Sequence, residues 1–285
     1  MSDSSMPPLE QSEFSAVVPL RPATQADIDR VKADLPPGTQ ALYLLESGPD
    51  SWRVADGDVT IDASILSTEY VIVFGNLTIN GNYDDNSGDG ALVVMESLSL
   101  EHCTSWGTVY VHAGMTASGL VYAYYNDHTF EVDGKTNARG VLFFDKAGHI
   151  NPGVVGFYLN DFDDHDQYGD HLLTLHPDLF VFGDYIEEST KMHNLFPDFG
   201  LVRKRLQQGL PIFRAVPAPR ELLVDIEIAI DYSSSDNQIL AILGGDVLLP
   251  RLVAARDELS DTMRTELRTS ADPVVQRLLA AAESP

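Results

Sequence analysis

The chain has 285 residues, enough for one large domain or two ordinary ones, and 44% of them are hydrophobic, as in an ordinary globular protein. Its formal net charge is −25, and residues 54–190 hold 22 Asp and Glu against three Lys and Arg. Such a charge repels nucleic acid and acidic membranes and favours a basic protein partner, whose encounter it would speed. Solubility alone is the alternative explanation.

Targeting signals and membrane spans are not evident in the sequence. The first residues have no basic start followed by an apolar region, and no apolar run approaches the ~18 residues that a membrane span needs. The single cysteine, Cys103, has no partner for an internal disulfide. We therefore expect a cytoplasmic protein.

The N-terminal part of the chain is predicted to be a flexible segment followed by a capping region. Residues 1–22 are rich in Ser, Pro and acids, which predicts a flexible segment. Thr24, with Asp27 three residues on, predicts a helix that begins there and ends before residues 36–38. The apolar stretch 41–46 predicts a strand that pairs with or caps the first coil of a solenoid.

One apolar pattern recurs through the next hundred residues. It begins with Val71, Val73, Leu77 and Ile79, and copies follow at about twenty-residue intervals. The later copies are Leu92, Val94, Leu98 and Leu100, then Val109, Val111, Met115 and Ala117, then Phe130, Val132, Thr136 and Ala138. Alternation within each unit indicates strands, and a fixed period indicates stacked units. The sequence therefore predicts a β-solenoid, or parallel β-helix, which with its N-terminal cap occupies residues 23–158.

Two units of this repeat resemble a known family. Residues 57–61 read Gly-Asp-Val-Thr-Ile and residues 75–79 read Gly-Asn-Leu-Thr-Ile, a pattern similar to the polymer-forming bactofilin type of β-solenoid. The resemblance implies that the protein could assemble with copies of itself.

The remaining chain predicts a mixed α+β segment and then a helical repeat. In residues 159–236 we expect a helix from Asp198 to Gly209 and a half-buried strand over 224–230. Residues 237–285 predict a series of short helices. Within them, residues 253–260 and 271–281 resemble the variant leucine-rich (HEAT-like) repeats, which implies paired short helices in a right-handed superhelix.

The densest cluster of ionisable residues lies at 160–171. Its carboxylates are Asp161, Asp163, Asp164, Asp166 and Asp170, accompanied by His165 and His171. Carboxylate oxygens suit calcium, but the glycine and distal glutamate of an EF-hand are missing. Three interpretations stay open, namely a partner-binding acidic loop, a metal site and a plain solvated turn.

Two turn insertions supply further candidate residues for partner binding. The first, at 80–90, contains Asp84, Asp85 and Asp89, and the second, at 122–128, contains Tyr124, Tyr125 and Asp127. Loops inserted into stacked repeats tend to emerge on one side, so these residues and the acidic loop could share a face. The alternative for the acids is a solvated turn. The alternative for the aromatic residues is a core or stacking role, and it covers Tyr83, Trp106, Tyr122, Tyr124, Tyr125 and His128.

We predict no catalytic residue, metal or cofactor. His102 and Cys103 are adjacent on a strand and therefore point to opposite faces, which argues against a thiol enzyme. The sequence favours a non-enzymatic acidic binding protein, in its most concrete form an immunity or antitoxin-like inhibitor of a basic toxin such as a nuclease. The alternatives are a self-assembling β-solenoid scaffold and a carbohydrate-active β-helix enzyme.

Overall fold

A computed structural model confirms the predicted fold class, a parallel β-solenoid followed by a helical segment. The chain divides into two compact units, residues 1–164 with 206–210 and residues 165–205 with 211–285. In the described part of the chain no helix combines the length and apolarity required to cross a bilayer. The structure describes residues 11–39, 41–85, 90–125, 127–160, 169–181, 195–256 and 258–282.

A short capping region precedes the solenoid. Its elements are β1 (Gln11–Ser12), α1 (Phe14–Val17), β2 (Arg21–Pro22), α2 (Gln25–Asp34) and α3 (Ala41–Leu45). The flexible segment expected for residues 1–22 is therefore structured from residue 11 on, and residues 1–10 lie outside the described part. The strand predicted at 41–46 was wrong, because this stretch is helix α3.

The solenoid has six coils, and each coil contributes to three faces. The first coil contains β3 (Trp52–Ala55), β4 (Val59–Ile61) and β5 (Ser64–Leu66), and the second contains β6 (Tyr70–Val73), β7 (Leu77–Ile79) and β8 (Asn82–Asp84). The third contains β9 (Ala91–Val94), β10 (Ser97–Leu100) and β11 (His102–Ser105), and the fourth contains β12 (Thr108–Val111) and β13 (Gly114–Tyr124). The fifth is the single long strand β14 (Thr129–Phe144), and the sixth contains β15 (Ala147–Val155) and β16 (Tyr158–Asn160). We call the faces that begin with β3, β4 and β5 the first, second and third face. The longer strands β13, β14 and β15 bend from one face onto the next.

The strand register confirms the repeat seen in the sequence. Along the first face Tyr70 pairs with Ala91 and Ala91 with Thr108, which reproduces the 21- and 17-residue steps. On the second face Leu77 pairs with Leu98 and Leu98 with Met115. The alternate apolar residues of all three faces point inward and form one buried core.

Helices α2 and α3 cover the outer side of the first face. Ile28 and Val31 of α2 pack in one buried cluster with outward-facing residues of the face, such as Ile72 and Val93. The predicted N-cap is confirmed, since the Thr24 side chain accepts a hydrogen bond from the backbone N–H of Asp27, and the Asp27 carboxylate accepts one from the backbone N–H of Thr24. Arg21 bonds the carboxylates of both Asp27 and Asp56 and so joins α2 to the first coil.

The second unit is helical. Its helices are α4 (Asp170–Thr174), α5 (Phe199–Gln207), α6 (Glu221–Ile230), α7 (Asp236–Ile242), α8 (Leu248–Ala254), α9 (Asp261–Leu267) and α10 (Pro273–Ala282). Helix α8 contacts both α6 and α10, and α7 contacts α9. The predicted caps Asp198, Ser260 and Asp272 accept hydrogen bonds from the first turns of α5, α9 and α10. The strand predicted over 224–230 was wrong, because that stretch belongs to helix α6.

Candidate functional site

A cluster of aromatic side chains occupies the turn from the third face of one coil to the first face of the next. Trp106, Tyr124 and Phe144 stand at this turn in three successive coils. The rings of Tyr124 and Phe144 stack with centroids 5.6 Å apart and planes 2° apart, and Trp106 lies 5.7 Å from Tyr124. Tyr125 and His128, with centroids 6.5 Å apart, extend the cluster. We call these five residues the aromatic corner.

The backbone at this corner is strained. Tyr125 has φ = 86° and Asp145, in the next coil, has φ = 48°, and in the described part of the chain they are the two non-glycine residues with positive φ. Aspartate and asparagine tolerate this region, whereas tyrosine rarely adopts it, so the strain lies at Tyr125, and such strain tends to concentrate at functional sites. The Tyr125 N–H donates to the carbonyl oxygen of Phe144, which links the turns of two adjacent coils.

The aromatic corner reaches the surface beside a carboxylate. The Tyr125 side chain is 37% exposed, and Trp106 and Tyr124 are half-buried. The Tyr125 hydroxyl donates a hydrogen bond to the exposed carboxylate of Asp127, which raises the pKa of Tyr125. An exposed aromatic ring and a negative charge therefore lie at the same place.

The buried carboxylate of Asp85 binds the backbone of the turn at the corner. Asp85 accepts hydrogen bonds from the Ser105 hydroxyl at 2.7 Å, from the Gly107 N–H at 3.0 Å and from the Trp106 N–H. The residue is 1% exposed. A Cβ at Gly107 would lie 2.4 Å from the carbonyl oxygen of Gly90, so the turn requires glycine there. Asp85 thus binds the N–H side of the turn that presents Trp106.

A buried lysine binds the other side of the same turn. Lys146 Nζ donates to the carbonyl oxygens of Trp106 at 3.0 Å and Gly107 at 2.6 Å, and the residue is 1% exposed. Burial raises the pKa of Asp85 and lowers that of Lys146, and the opposite charge of each partner offsets part of the change. We call this arrangement the Asp85–Lys146 clamp, and it fixes the backbone that carries Trp106.

The predicted site residues that the structure describes lie in different places. Tyr124, Tyr125 and Asp127 lie together at the aromatic corner, and their role in partner binding stays a prediction. Asp84 and Asp85, predicted to bind a partner with a solvated turn as the alternative, are buried instead, at 4% and 1% exposed. Asp170 begins helix α4 and accepts a hydrogen bond from Arg220 at 3.1 Å. Asp89, Asp161, Asp163, Asp164 and Asp166 lie outside the described residues.

The sequence reasoning missed three contributors to the site, Ser105, Phe144 and Lys146. Lys146 carried a usable signal, because it is one of only three basic residues in the strongly acidic stretch 54–190. Of the aromatic residues weighed as anchors, Tyr83 and Tyr122 are buried, each 1% exposed, which agrees with the core alternative.

Cys103 and His102, the adjacent pair weighed in the sequence, are both enclosed in the solenoid. Cys103 lies in the interior core, where burial raises the pKa of its thiol. His102 is engaged with the backbone, since its Nδ1 accepts the N–H of Leu120 at 3.0 Å. In the described parts of the chain no group of three or more His, Cys, Asp and Glu side chains is arranged to hold a metal ion.

Comparisons with known proteins give one relative. No protein-family model and no solved structure matches the chain. The uncharacterised protein YdbD of Escherichia coli (strain K12) is 25% identical over 242 residues, which cover 78% of this chain and 30% of that protein. The chain therefore spans less than a third of the length of that relative.

Proposed function

We propose that the protein is a non-catalytic binding protein that holds a basic protein partner at the aromatic corner. The observation that carries this proposal is the coincidence of strained backbone at Tyr125 with the exposed ring of the same residue beside the exposed Asp127. Tyrosine and tryptophan are frequent anchors of protein interfaces. The net charge of −25 selects for a basic partner and would speed its association.

The most concrete form of this proposal is an immunity or antitoxin-like inhibitor of a basic toxin, for example a nuclease, acting in the cytoplasm. An acidic inhibitor places carboxylates where the phosphates of a nucleic acid would sit in the enzyme. The sequence carries four aspartates between 161 and 166 and a fifth at Asp170, which contribute to the net negative charge of the chain.

Three buried ionisable groups of the solenoid have a structural use. Asp85, Lys146 and His102 each use their polar atoms to hold the backbone of neighbouring coils. This use explains their burial as part of the scaffold and leaves the exposed corner as the surface on which a partner would be recognised.

The test is capture from a lysate of the source cell with matched pairs of variants. The double variant Tyr125→Asn, Asp127→Asn removes the exposed ring and charge, and asparagine tolerates the left-handed backbone at 125. The control Tyr43→Asn, Asp50→Asn makes the same chemical changes at exposed positions away from the corner. We expect one basic protein to be retained at low salt by the wild type and the control and lost by the corner variant.

Whether the protein neutralises the toxicity of its captured partner decides the inhibitor form of the proposal. The captured basic protein would be expressed in cells with the wild type, the corner variant or the control, and survival would be counted. Protection by the wild type and the control but not by the corner variant is the expected result. Equal retention of the partner by all three proteins would contradict a role for the corner.

Self-assembly is a second candidate function, suggested by the bactofilin-like units. One observation favours it, namely that β15 of the last coil is exposed over residues 151–154, with Val154 81% exposed. Pro152 weakens this edge, because proline has no N–H to offer an added strand. Filaments in negative-stain images of the purified protein would favour self-assembly over partner binding.

A further inference from the structure

We infer that the aromatic corner recognises an arginine side chain of the basic partner. This inference rests on the proposed function and specifies the group that anchors the partner. It follows from the ring geometry, the position of Asp127 and the direction of Lys146, which are taken in turn.

The rings of the corner present faces in different directions. The planes of Trp106 and Tyr125 are 87° apart with centroids 5.8 Å from each other, and those of Trp106 and Tyr124 are 59° apart. A cation above the face of an aromatic ring is attracted by the ring quadrupole, most strongly for tryptophan. A flat cation can therefore lie on one ring while its edge faces another.

The carboxylate of Asp127 completes a site for a donor. It already accepts the Tyr125 hydroxyl, and an ionised carboxylate has room for several hydrogen bonds. A guanidinium group stacked on the Tyr125 ring would thus find an acceptor at the edge of that ring. The two interactions need a planar group with donors along its rim.

Lys146 does not occupy this site. The Lys146 amine points inward to the carbonyl oxygens of Trp106 and Gly107, and the residue is 1% exposed. Its hydrogen bonds hold the turn that carries Trp106, so the backbone of that residue is fixed before a partner arrives. A preorganised site loses less conformational freedom on binding.

Arginine fits this arrangement better than lysine does. A guanidinium group is planar, weakly hydrated and carries five N–H donors, so it can stack on a ring and bond a carboxylate at once. The ammonium group of lysine is a compact and strongly hydrated charge. Charge alone would not distinguish the two, whereas the aromatic faces would.

The experiment compares three octapeptides in which glycine alternates with arginine, with lysine or with citrulline. Citrulline keeps the planar shape of arginine without its charge. Binding to the full chain is measured by calorimetry at one fixed salt concentration. We expect the arginine peptide to bind about five-fold more tightly than the lysine peptide, and the citrulline peptide more weakly than both.

Variants locate the preference on the molecule. Tyr125→Asn and Asp127→Asn should each reduce the preference for arginine over lysine, to about two-fold or less, whereas Tyr43→Asn and Asp50→Asn should leave it unchanged. Circular dichroism spectra that match the wild type would show that each variant is folded.

The outcomes separate this inference from the proposed function. Equal binding of the arginine and lysine peptides, lost at high salt, would overturn the arginine site and leave a basic partner in place. Binding of no peptide, or equal binding of the citrulline peptide, would also overturn the arginine site. Whether a basic protein binds the corner at all is decided separately by the capture experiment.

Discussion

The ring of His102 fits only because Gly119, in the adjacent coil, has no side chain. A Cβ at Gly119 would lie 2.3 Å from one ring atom of His102 and 2.7 Å from another. The ring would have to move, and the N–H of Leu120 would lose the acceptor that it now has at 3.0 Å. We therefore expect Gly119→Ala to lower the free energy of unfolding by about 1–3 kcal/mol in urea denaturation.

Gly244 is the control for this substitution, since a Cβ there meets no atom within 4 Å. Gly244→Ala should leave the stability within about 0.5 kcal/mol of the wild type. If both alanine variants were equally stable, the ring of His102 would not be held where the structure places it.

The Asp85–Lys146 clamp leads to a second prediction for single residues. Asp85→Ala would leave the N–H groups of Trp106 and Gly107 without their acceptor and the buried Lys146 without a nearby negative charge. Loss of one member of a buried pair typically costs about 3–5 kcal/mol, so we expect a decrease of that size in urea denaturation. The exposed Asp50→Ala serves as the control and should change stability little.

Coupling between the two charges is tested by a double-mutant cycle. Lys146→Met removes the buried amine with little change in shape. Because each single variant leaves one buried charge behind, the double variant should be more stable than the sum of the two losses implies. Strictly additive losses would mean that the two residues stabilise the turn independently.

At the level of elements, the solenoid was predictable because its structural repeat is also a repeat in the sequence. The core spacing recurs coil after coil, and polar turn residues recur with it. The Asn76 N–H, for instance, donates to the carboxylate of Asp58 at 2.8 Å, so equivalent turns of adjacent coils bond each other. A pattern that repeats in space repeats in sequence as well, and single-chain reasoning detects it.

Helix α6 shows why an alternating pattern can mislead. Val224, Ile226 and Ile228 alternate with polar or small residues, which is typical of a strand. Yet Val224 is 57% exposed, while Leu222, Ile226 and Ala229 are buried at helical spacing. Ile226 and Ile230 fit both periods over this short stretch, and the helix packs against α8.

The candidate site was only partly predictable, for a different reason. Tyr124, Tyr125 and Asp127 were identified because an aromatic and acidic turn insertion is visible in the sequence. The burial of Asp85 depends on Ser105 and on Lys146, far along the chain, which meet only when the coils are stacked. Local composition cannot distinguish such an aspartate from a solvated one.

Helix α2 provides a prediction at the same scale. Ile28 is fully buried in the cluster that covers the first face, whereas the neighbouring Asp29 is exposed. Ile28→Ala should lower the free energy of unfolding by about 2–5 kcal/mol, and Asp29→Ala should change it little. Urea denaturation followed by tryptophan fluorescence measures this, because Trp52 belongs to the same buried cluster. Equal effects of the two variants would mean that α2 does not pack on the solenoid through this side.

For the whole molecule, the dominant property is its charge. At a net charge of −25, mutual repulsion of the carboxylates opposes the compact state, and acidification relieves that repulsion. Buried neutral histidines act in the opposite direction, because an unfolded chain can protonate them and the folded protein resists it. The pH dependence of stability is therefore the balance of two effects, and a variant is needed to separate them.

His102 is suited to that separation. Burial, with a smaller contribution from the charge of Arg139, lowers its pKa from 6.5 to about 4 in the folded protein. The unfolded chain binds more protons between these values, so the contribution to stability is complete above pH 6.5 and is lost as the pH falls towards 4. Between pH 7 and pH 5 the loss from this residue amounts to about 2 kcal/mol.

His102→Asn keeps an acceptor for the Leu120 N–H but cannot titrate, so its stability should fall by about 2 kcal/mol less than that of the wild type over this range. His149→Asn, at an exposed position, is the control and should follow the wild type. Parallel pH profiles for all three proteins in urea denaturation would show that His102 is not kept neutral by the fold.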